Sequence, residues 1–189
     1  MIFVGVDQSY TNTGLVAIRD NKILDIVSLK IPKDYIGIER IHFIYDRFIN
    51  YCRYFYQKDN FILAAIEGAA FGKAFRAHQM GELAGAIALA FFINGVPVKR
   101  YPPKSHRKLS LGYGLLKGSK PKEKKEYLVS KINQKYGKKF KVNIEDHNIA
   151  DAFSIVQALM IEWNNWDEKF FKNLSPTEID IIKKVRKNA

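Results

Sequence analysis

The 189-residue chain contains a single cysteine, Cys52, and this scarcity excludes an internal disulfide framework and a cysteine-rich zinc site. No apolar stretch approaches the roughly 18 residues that cross a bilayer, and the first residues lack the basic and apolar regions of a signal peptide. With 47% hydrophobic and 26% charged residues, the composition is that of an ordinary globular protein. We therefore expect a cytoplasmic protein with no membrane partner.

Acidic residues are almost missing from one segment, residues 99–141. It holds fifteen of the 31 Lys and Arg residues but only Glu123 and Glu126 of the 19 acidic ones, so its net charge is +13 and that of the remainder is −1. A lysine-rich helix face that is merely solvated normally mixes the two signs of charge. The segment therefore indicates a polyanionic partner such as nucleic acid.

Hydrophobic periodicity predicts one α/β domain at 1–165, followed by a C-terminal helical extension at 166–189. The first three strands form an antiparallel meander whose tight turn is Asp20-Asn21. Between the fifth strand and the basic helix, the pattern predicts a loop containing Gly112. The predicted strands are 2–6, 13–18, 23–29, 61–66 and one beginning at 96, and the predicted helices are 36–56, 74–94, 122–136 and 147–163.

Three carboxylates stand at the polar ends of apolar elements: Asp7 after the first strand, Glu67 after the fourth, and Asp151 early in a late helix. If strands one and four are adjacent and parallel, Asp7 and Glu67 share one edge of the sheet, and the late helix can bring Asp151 opposite them. Carboxylates gathered in this way require cations, and their hard oxygens suit Mg²⁺ or Mn²⁺. The pattern predicts a metal-dependent nuclease, whereas Asp7 taken alone could equally cap a turn.

The motifs VGVDQSYTNTG at 4–14, AIE at 65–67 and IADAFSI at 149–155 resemble those of RuvC-type Holliday junction resolvases. The likeness extends over about residues 2–159. It implies a ribonuclease H-like fold with a five-stranded mixed sheet flanked by helices, and a homodimer in a bacterium or a phage-infected cell. It also implies paired nicks in branched DNA during recombination and repair, two Mg²⁺ ions per active site with Mn²⁺ as a substitute, and a branch-migration helicase as a candidate partner.

The resemblance leaves the fourth metal ligand open. Resolvases usually carry Asp or His one helical turn before the last aspartate, and this chain has Asn148 there. Asn148 and Asp146 are the closest candidates, and His147 follows them, since residues three and four apart share a helix face. Asp146 is also a plausible helix cap, and His147 is equally compatible with an exposed first helical turn.

Basic and aromatic residues complete the predicted site. Resolvases carry cations near the scissile phosphate, and alignment on the glycines at 112 and 114 implies Arg107 or Lys108, whereas alignment on the next helix implies Lys122. Phe71 and Phe75 lie close in sequence to the cations Lys73 and Arg76, and of the two Phe71 is the better candidate to press into the opened junction, although it is equally compatible with a core position. The small-residue helix 74–94 is the implied dimer contact. The predicted DNA-binding residues are Phe71, Lys73, Arg76, Lys104, Arg107, Lys108, Lys117, Lys120, Lys124 and Lys125.

Two other functions fit the same features. The first is a nuclease of the same fold that acts on flaps, forks or RNA–DNA hybrids. The second is a non-catalytic binder of branched nucleic acid, in which the basic segment grips phosphates and the carboxylates only cap structure; the neutral Asn148 keeps this alternative open.

Overall fold

One mixed sheet of five strands lies at the centre of the fold, with helices packed on both of its faces. A π-helical turn at Asn133–Gly137 joins two of these helices. The elements in chain order are β1 (Ile2–Asp7), β2 (Asn12–Arg19), β3 (Lys22–Lys30), α1 (Ile38–Tyr56), β4 (Ile62–Glu67), α2 (Ala74–Ile93), β5 (Val98–Tyr101), α3 (Ser105–Leu111), α4 (Pro121–Ile132), α5 (Lys138–Phe140) and α6 (His147–Asn165). The strands lie in the order β3-β2-β1-β4-β5, which confirms the predicted α/β class.

The structure, a computed structural model, describes residues 1–56, 61–68, 74–102, 105–112 and 120–165, and in the tail 171, 176, 179–180 and 182–183. The side chains of 56 and 74–76 are not included in this description. The predicted start of the tail helix at Ser175 therefore lies outside the described residues. In the described tail, Ile182 is buried in the core and Phe171 packs against it. No helix in the described ranges is long and apolar enough to cross a membrane.

The first three strands form the predicted antiparallel meander. Asp20 and Asn21 have φ angles of 50° and 57°. Two consecutive positive φ angles are the geometry of a type I′ turn, whose twist matches that of the flanking strands. The Asp20-Asn21 dipeptide therefore makes the tight hairpin that its residue types predict.

The pairing of β1 with β4 sets the position of two carboxylates. The two strands are parallel, with Val6 opposite Ile66. The next residue of each strand, Asp7 in β1 and Glu67 in β4, therefore lies at the same edge of the sheet. This confirms the expectation that strands one and four are adjacent and parallel.

The sheet separates two hydrophobic cores. One core joins the sheet to α1 and α2 and includes Val4, Val6 and Ile66. The other joins it to α6 and α4 and includes Phe3 and Leu63. Since side chains alternate along a strand, the residues on the α6 face of β1 and β4 are the odd-numbered ones. Asp7 and Glu67 therefore point to the face that α6 covers.

Two glycines allow α6 to lie directly on this face. A Cβ atom added to Gly5 would lie 2.3 Å from the backbone oxygen of Ala152, and one added to Gly14 would lie 2.3 Å from that of Asn148. Gly14 pairs with Asp7 across the β1–β2 ladder. The close approach of helix to sheet at these two points places Asp151 beside the edge that carries Asp7.

The region between β5 and the basic helix differs from the sequence prediction. Where we predict a loop, residues 105–111 form the short helix α3, which ends at Gly112 with φ 84°, a left-handed helix cap. The basic helix continues past its predicted end at 136 through the π-helical turn to Phe140. Tertiary contacts explain both differences: Ser110 of α3 contacts Ser154 of α6, and the Asn133 side chain makes two hydrogen bonds with the Ile144 backbone.

Candidate active site

Asp7 lies at the centre of a group of acidic residues. Burial raises the pKa of Asp7 well above its usual range, and the charges of Asp151 and Glu67 raise it further, while Arg107 opposes them. Asp146 adds a smaller effect in the same direction. The structure thus brings Asp7, Glu67 and Asp151 into electrostatic contact, as the sequence predicts.

Arg107 is the cation in contact with this group. Its Nε donates a hydrogen bond to Asp151 Oδ1 at 2.7 Å, and its Nη2 lies 2.6 Å from the same oxygen. The two side chains are only 14% and 12% exposed, so water screens the pair weakly. Burial raises the pKa of Asp151, and Arg107 and His106 oppose that rise without cancelling it. Arg107 therefore offsets part of the negative charge of the cluster.

Glu67 is approached from two sides. The Gln8 side-chain amide donates to the Glu67 backbone oxygen, which ties the end of β1 to the end of β4. His106 of α3 lies with its Nε2 3.5 Å from Glu67 Oε1. Neighbouring residues of one short helix, His106 and Arg107, thus each approach a different carboxylate of the cluster.

The His106 ring is fully buried and is joined to two serines. Its Nδ1 lies 3.1 Å from Ser154 Oγ, which lies 2.6 Å from Ser110 Oγ. Both serines are also fully buried. The Ser110 backbone oxygen in turn accepts hydrogen bonds from Lys135 and Tyr136. This chain of contacts connects α3, α6 and the π-helical turn behind the carboxylates.

Asp146 forms the cap of α6. Its Oδ1 accepts the backbone N–H of Asn148 at 2.7 Å, and its Oδ2 accepts from the side chains of Asn12 and Ser28, each at 3.0 Å. Partial burial raises the pKa of Asp146, but these hydrogen bonds outweigh it, so the net pKa lies below the ordinary value. These contacts tie the start of α6 to β2 and β3, and they leave Asp146 less free to bind a metal.

The other two candidates for the fourth ligand lie in the first turn of α6. Asn148 is buried, with 9% of its surface exposed, against the backbone of Gly14. His147 is half-buried, and its Nε2 lies 2.7 Å from Lys125 Nζ, where it can only accept a hydrogen bond. His147 therefore contacts the basic helix in this arrangement.

The lysines that the sequence predicts to contact DNA or to act in catalysis differ in their exposure. Lys108, Lys120, Lys122 and Lys125 are exposed and Lys124 is half-buried. Lys122 lies 3.8 Å from Glu126 on the surface of α4, and no contact in the described part of the chain joins it to the carboxylates. Lys125 is the lysine of this group that contacts α6, through His147. The predictions for Phe71, Lys73, Lys104, Lys117 and the Arg76 side chain fall outside the described residues.

The donor chemistry of the cluster fits Mg²⁺ or Mn²⁺. Three carboxylates converge, and the pKa values of two of them, Asp7 and Asp151, are raised, chiefly by burial and further by the neighbouring carboxylates. Within the described ranges, however, no three His, Cys, Asp or Glu side chains are already arranged as a complete metal site. Asp151 is instead held by Arg107. Metal binding would therefore require Asp151 to be shared with Arg107 or released by it.

No role for His106 or Gln8 follows from the sequence, which places Arg107 near the scissile phosphate without indicating its contact with Asp151. His106 lies in a segment predicted to be a loop, and in a loop the hydrophobic periodicity does not indicate which side chains point toward the protein interior. The glycine at 112 is a helix-ending signal that could have revealed α3 and, with it, the placement of neighbouring His106 and Arg107 near the strand ends.

Three solved structures have a similar fold. Thermus thermophilus RuvC in complex with a Holliday junction substrate superposes with a TM-score of 0.68 at 22% identity, over 88% of this chain and 97% of that one. A second Thermus thermophilus RuvC structure gives 0.66 at 21%, over 87% and 96%. Fowlpox virus resolvase with its Holliday junction DNA gives 0.53 at 15%, over 87% and 99%.

The chain has the ribonuclease H-like fold of these resolvases. No protein-family model matches the chain, and no curated protein matches it. The superpositions, which cover 87–88% of this chain, confirm the predicted fold class.

Proposed function

We propose that this protein is a metal-dependent endonuclease that resolves four-way DNA junctions by paired nicks. One observation carries the proposal: Asp7 and Glu67 end adjacent parallel strands on the face that α6 covers, beside Asp151. The fold is shared with resolvases whose structures hold Holliday junction DNA. The carboxylate cluster supplies the chemistry, and the likeness in fold supports the substrate.

Asp7, Glu67 and Asp151 would hold two Mg²⁺ ions, and Mn²⁺ would substitute. Such ions activate an attacking water and stabilise the leaving oxygen of a phosphodiester. For the remaining ligand we favour the amide oxygen of Asn148, since Asp146 accepts three hydrogen bonds and His147 accepts one from Lys125. The three carboxylates would also set the position of the scissile phosphate relative to α6.

Arg107 would supply positive charge to the reaction. In this structure it neutralises Asp151. A cation at the edge of a carboxylate site is well placed to stabilise the negative charge that develops on the phosphate. The exposed lysines of α4 would bind phosphates farther from the cut, so junction binding should weaken as salt is added.

A homodimer would place two such sites on one junction, as paired nicks require. One face of α2 supports this part of the proposal. Gly81 and Gly85 have no atom within 4 Å of an added Cβ, and Leu89 and Phe92 are 50% and 55% exposed. Spacings of four, four and three residues put these positions on one stripe. The stripe combines room for close helix approach with apolar surface to bury, which suits a second copy of α2.

A substrate panel tests the proposed function. The wild-type protein and Asp7→Asn are incubated with a four-way junction, a flap, a fork, an RNA–DNA hybrid and a linear duplex, each in Mg²⁺, Mn²⁺ or EDTA. We expect the wild type to make symmetric nicks in the junction with either metal, and Asp7→Asn to bind the junction without cutting it. Preferential cutting of flaps, forks or hybrids would assign the alternative nuclease function.

A non-catalytic binder is the second candidate. Two observations favour it: Arg107 holds Asp151, and the neutral Asn148 occupies the position of the usual fourth ligand. Such a binder would retain junctions but leave them intact in every divalent metal. Cleavage by the wild type that Asp7→Asn lacks would rule it out.

In the cell, we propose that junction cleavage serves recombination and repair, with a branch-migration helicase as the partner.

A further inference from the structure

The buried histidine of α3 is a feature that the proposed reaction does not use. His106 is fully buried, and its Nε2 has no hydrogen-bond partner among the described residues. Burial of a polar nitrogen without a partner is costly, so such a group usually serves a specific purpose. The polar atom that it approaches is Glu67 Oε1, at 3.5 Å.

The other side of the ring is fixed. Ser154 Oγ lies 3.1 Å from Nδ1, and Ser110 Oγ lies 2.6 Å from Ser154 Oγ, all inside the protein. Ser110 can donate to Ser154, which then donates to Nδ1, and this order leaves the proton of a neutral imidazole on Nε2. The reverse order would place the lone pair of Nε2 against the Glu67 carboxylate 3.5 Å away, so the approach of these two groups favours the order that directs a donor at Glu67.

We propose that His106 is a positioning residue that orients the Glu67 carboxylate for metal binding by donating a hydrogen bond from Nε2 to Oε1. The contact shortens from its present distance when Glu67 engages a cation, because hydrogen bonds in such sites tighten on binding. The Ser110–Ser154 pair sets the tautomer and the ring angle. This inference rests on the proposed function, in that Glu67 must be a metal ligand.

The placement of His106 supports positioning more than ordinary packing. A histidine that served only to fill space would not need two buried serines in line with its Nδ1. Partners behind a ligand commonly fix its orientation, and their loss typically weakens metal affinity about 10–100-fold. His106 also belongs to the same helix as Arg107, so α3 would adjust two carboxylates of the site together.

A matched pair of variants tests the proposal. In His106→Gln the amide nitrogen reaches the position of Nε2, whereas in His106→Asn it reaches that of Nδ1. Mn²⁺ affinity is measured by electron paramagnetic resonance, and junction binding is measured in EDTA. We expect His106→Asn to bind Mn²⁺ about tenfold more weakly and His106→Gln to stay within about threefold of wild type. Both variants should bind junctions normally in EDTA, because the DNA surface is unchanged.

Equal Mn²⁺ affinities for the two variants would overturn the inference. So would hyperfine coupling that shows a direct bond between bound Mn²⁺ and a ¹⁵N-labelled His106 nitrogen, since His106 would then be a ligand. Nitrogen NMR of the metal-free protein provides a test that leaves His106 in place: we expect a proton on Nε2 in the wild type, and we expect its signal to shift in Glu67→Gln. An unprotonated Nε2 would contradict the proposal.

These measurements separate the inference from the proposed function. If wild type binds no Mn²⁺ and cuts no substrate, the proposed function fails, and the NMR result still decides whether His106 donates to Glu67. If wild type binds Mn²⁺ and cuts junctions while the Gln and Asn variants behave alike, only the role of His106 is wrong.

Discussion

Arg107 contacts a single oxygen of Asp151 twice, through Nε at 2.7 Å and through Nη2 at 2.6 Å. Both side chains are largely buried, so the contact is a strong, charge-assisted one. It occurs in a cluster where Asp7 and Glu67 bring two further carboxylates and where the pKa values of Asp7 and Asp151 are raised. The site therefore has more negative charge than one arginine neutralises.

Asp7→Asn should stabilise the metal-free protein at neutral pH while it abolishes nicking. Burial and neighbouring carboxylates raise the pKa of Asp7, so between the ordinary pKa and the raised one the folded protein holds a proton that the unfolded chain has lost. Wild-type stability should therefore fall as the pH rises from the ordinary pKa of aspartate through the raised one. Nicking should drop by roughly a thousandfold or more, since metals contribute several kcal/mol to such reactions.

Thermal unfolding in EDTA at a series of pH values measures the effect of Asp7→Asn on stability. A gain of 1 kcal/mol corresponds to about 2–4 °C in a domain of this size. Asp34→Asn, at an exposed carboxylate, is the control and should show no such gain. A lower melting temperature for Asp7→Asn at neutral pH would show that the charge of Asp7 does not destabilise the metal-free protein.

Arg107→Met should destabilise the metal-free protein by about 1.5–3 kcal/mol, because it leaves the buried Asp151 carboxylate without its cation. Added Mg²⁺ should reduce this deficit, since the metal takes over the neutralising role. Urea denaturation with EDTA and with Mg²⁺ measures both effects. Lys108→Met, at the next and exposed position of α3, should change stability by less than about 0.5 kcal/mol. If the stability lost in Arg107→Met is the same with and without Mg²⁺, that result would argue against a metal at Asp151.

Gly5→Ala should displace α6, because the new Cβ would lie 2.3 Å from the Ala152 backbone oxygen and 2.6 Å from the Val156 nitrogen. Backbone atoms at these distances cannot yield as a flexible side chain would. We expect a loss of about 2–3 kcal/mol in urea denaturation and a large loss of nicking, as Asp151 moves away from Asp7. Ser130→Ala, at an exposed position of α4, should instead preserve or raise stability. A fully active Gly5→Ala would refute this account of the helix position.

Leu89→Glu should separate the proposed dimer into monomers without unfolding the chain, because the residue is exposed on the apolar stripe of α2. Sedimentation analysis measures the oligomeric state, and a nicking assay measures whether the two cuts remain coupled. We expect monomers that produce mainly single nicks. Ile38→Glu, at a site 74% exposed on α1, is the control and should leave the dimer intact. If Leu89→Glu remains a dimer, the interface does not include the apolar stripe of α2.

Much of the fold could be predicted from the sequence because local chemistry determines it. Continuous apolar runs end at Asp7 and at Glu67, and the Asp20-Asn21 pair accepts the positive φ angles of its turn. In α3, by contrast, seven residues are too few to establish a helical period. Its formation depends on contacts with Ser154 and with the π-helical turn, which are distant in sequence.

Periodicity and composition are enough to establish the α/β class, the order of the strands along the chain, the concentration of positive charge in residues 99–141 and the three candidate carboxylates. That Asp146 caps α6, that Arg107 holds Asp151 and that a buried histidine faces Glu67 becomes clear only in the folded chain. The physical reason is that a side chain's partners depend on which backbones approach closely. Gly5 and Gly14 permit that approach, but its consequence for Asp151 appears only once the helix lies on the sheet.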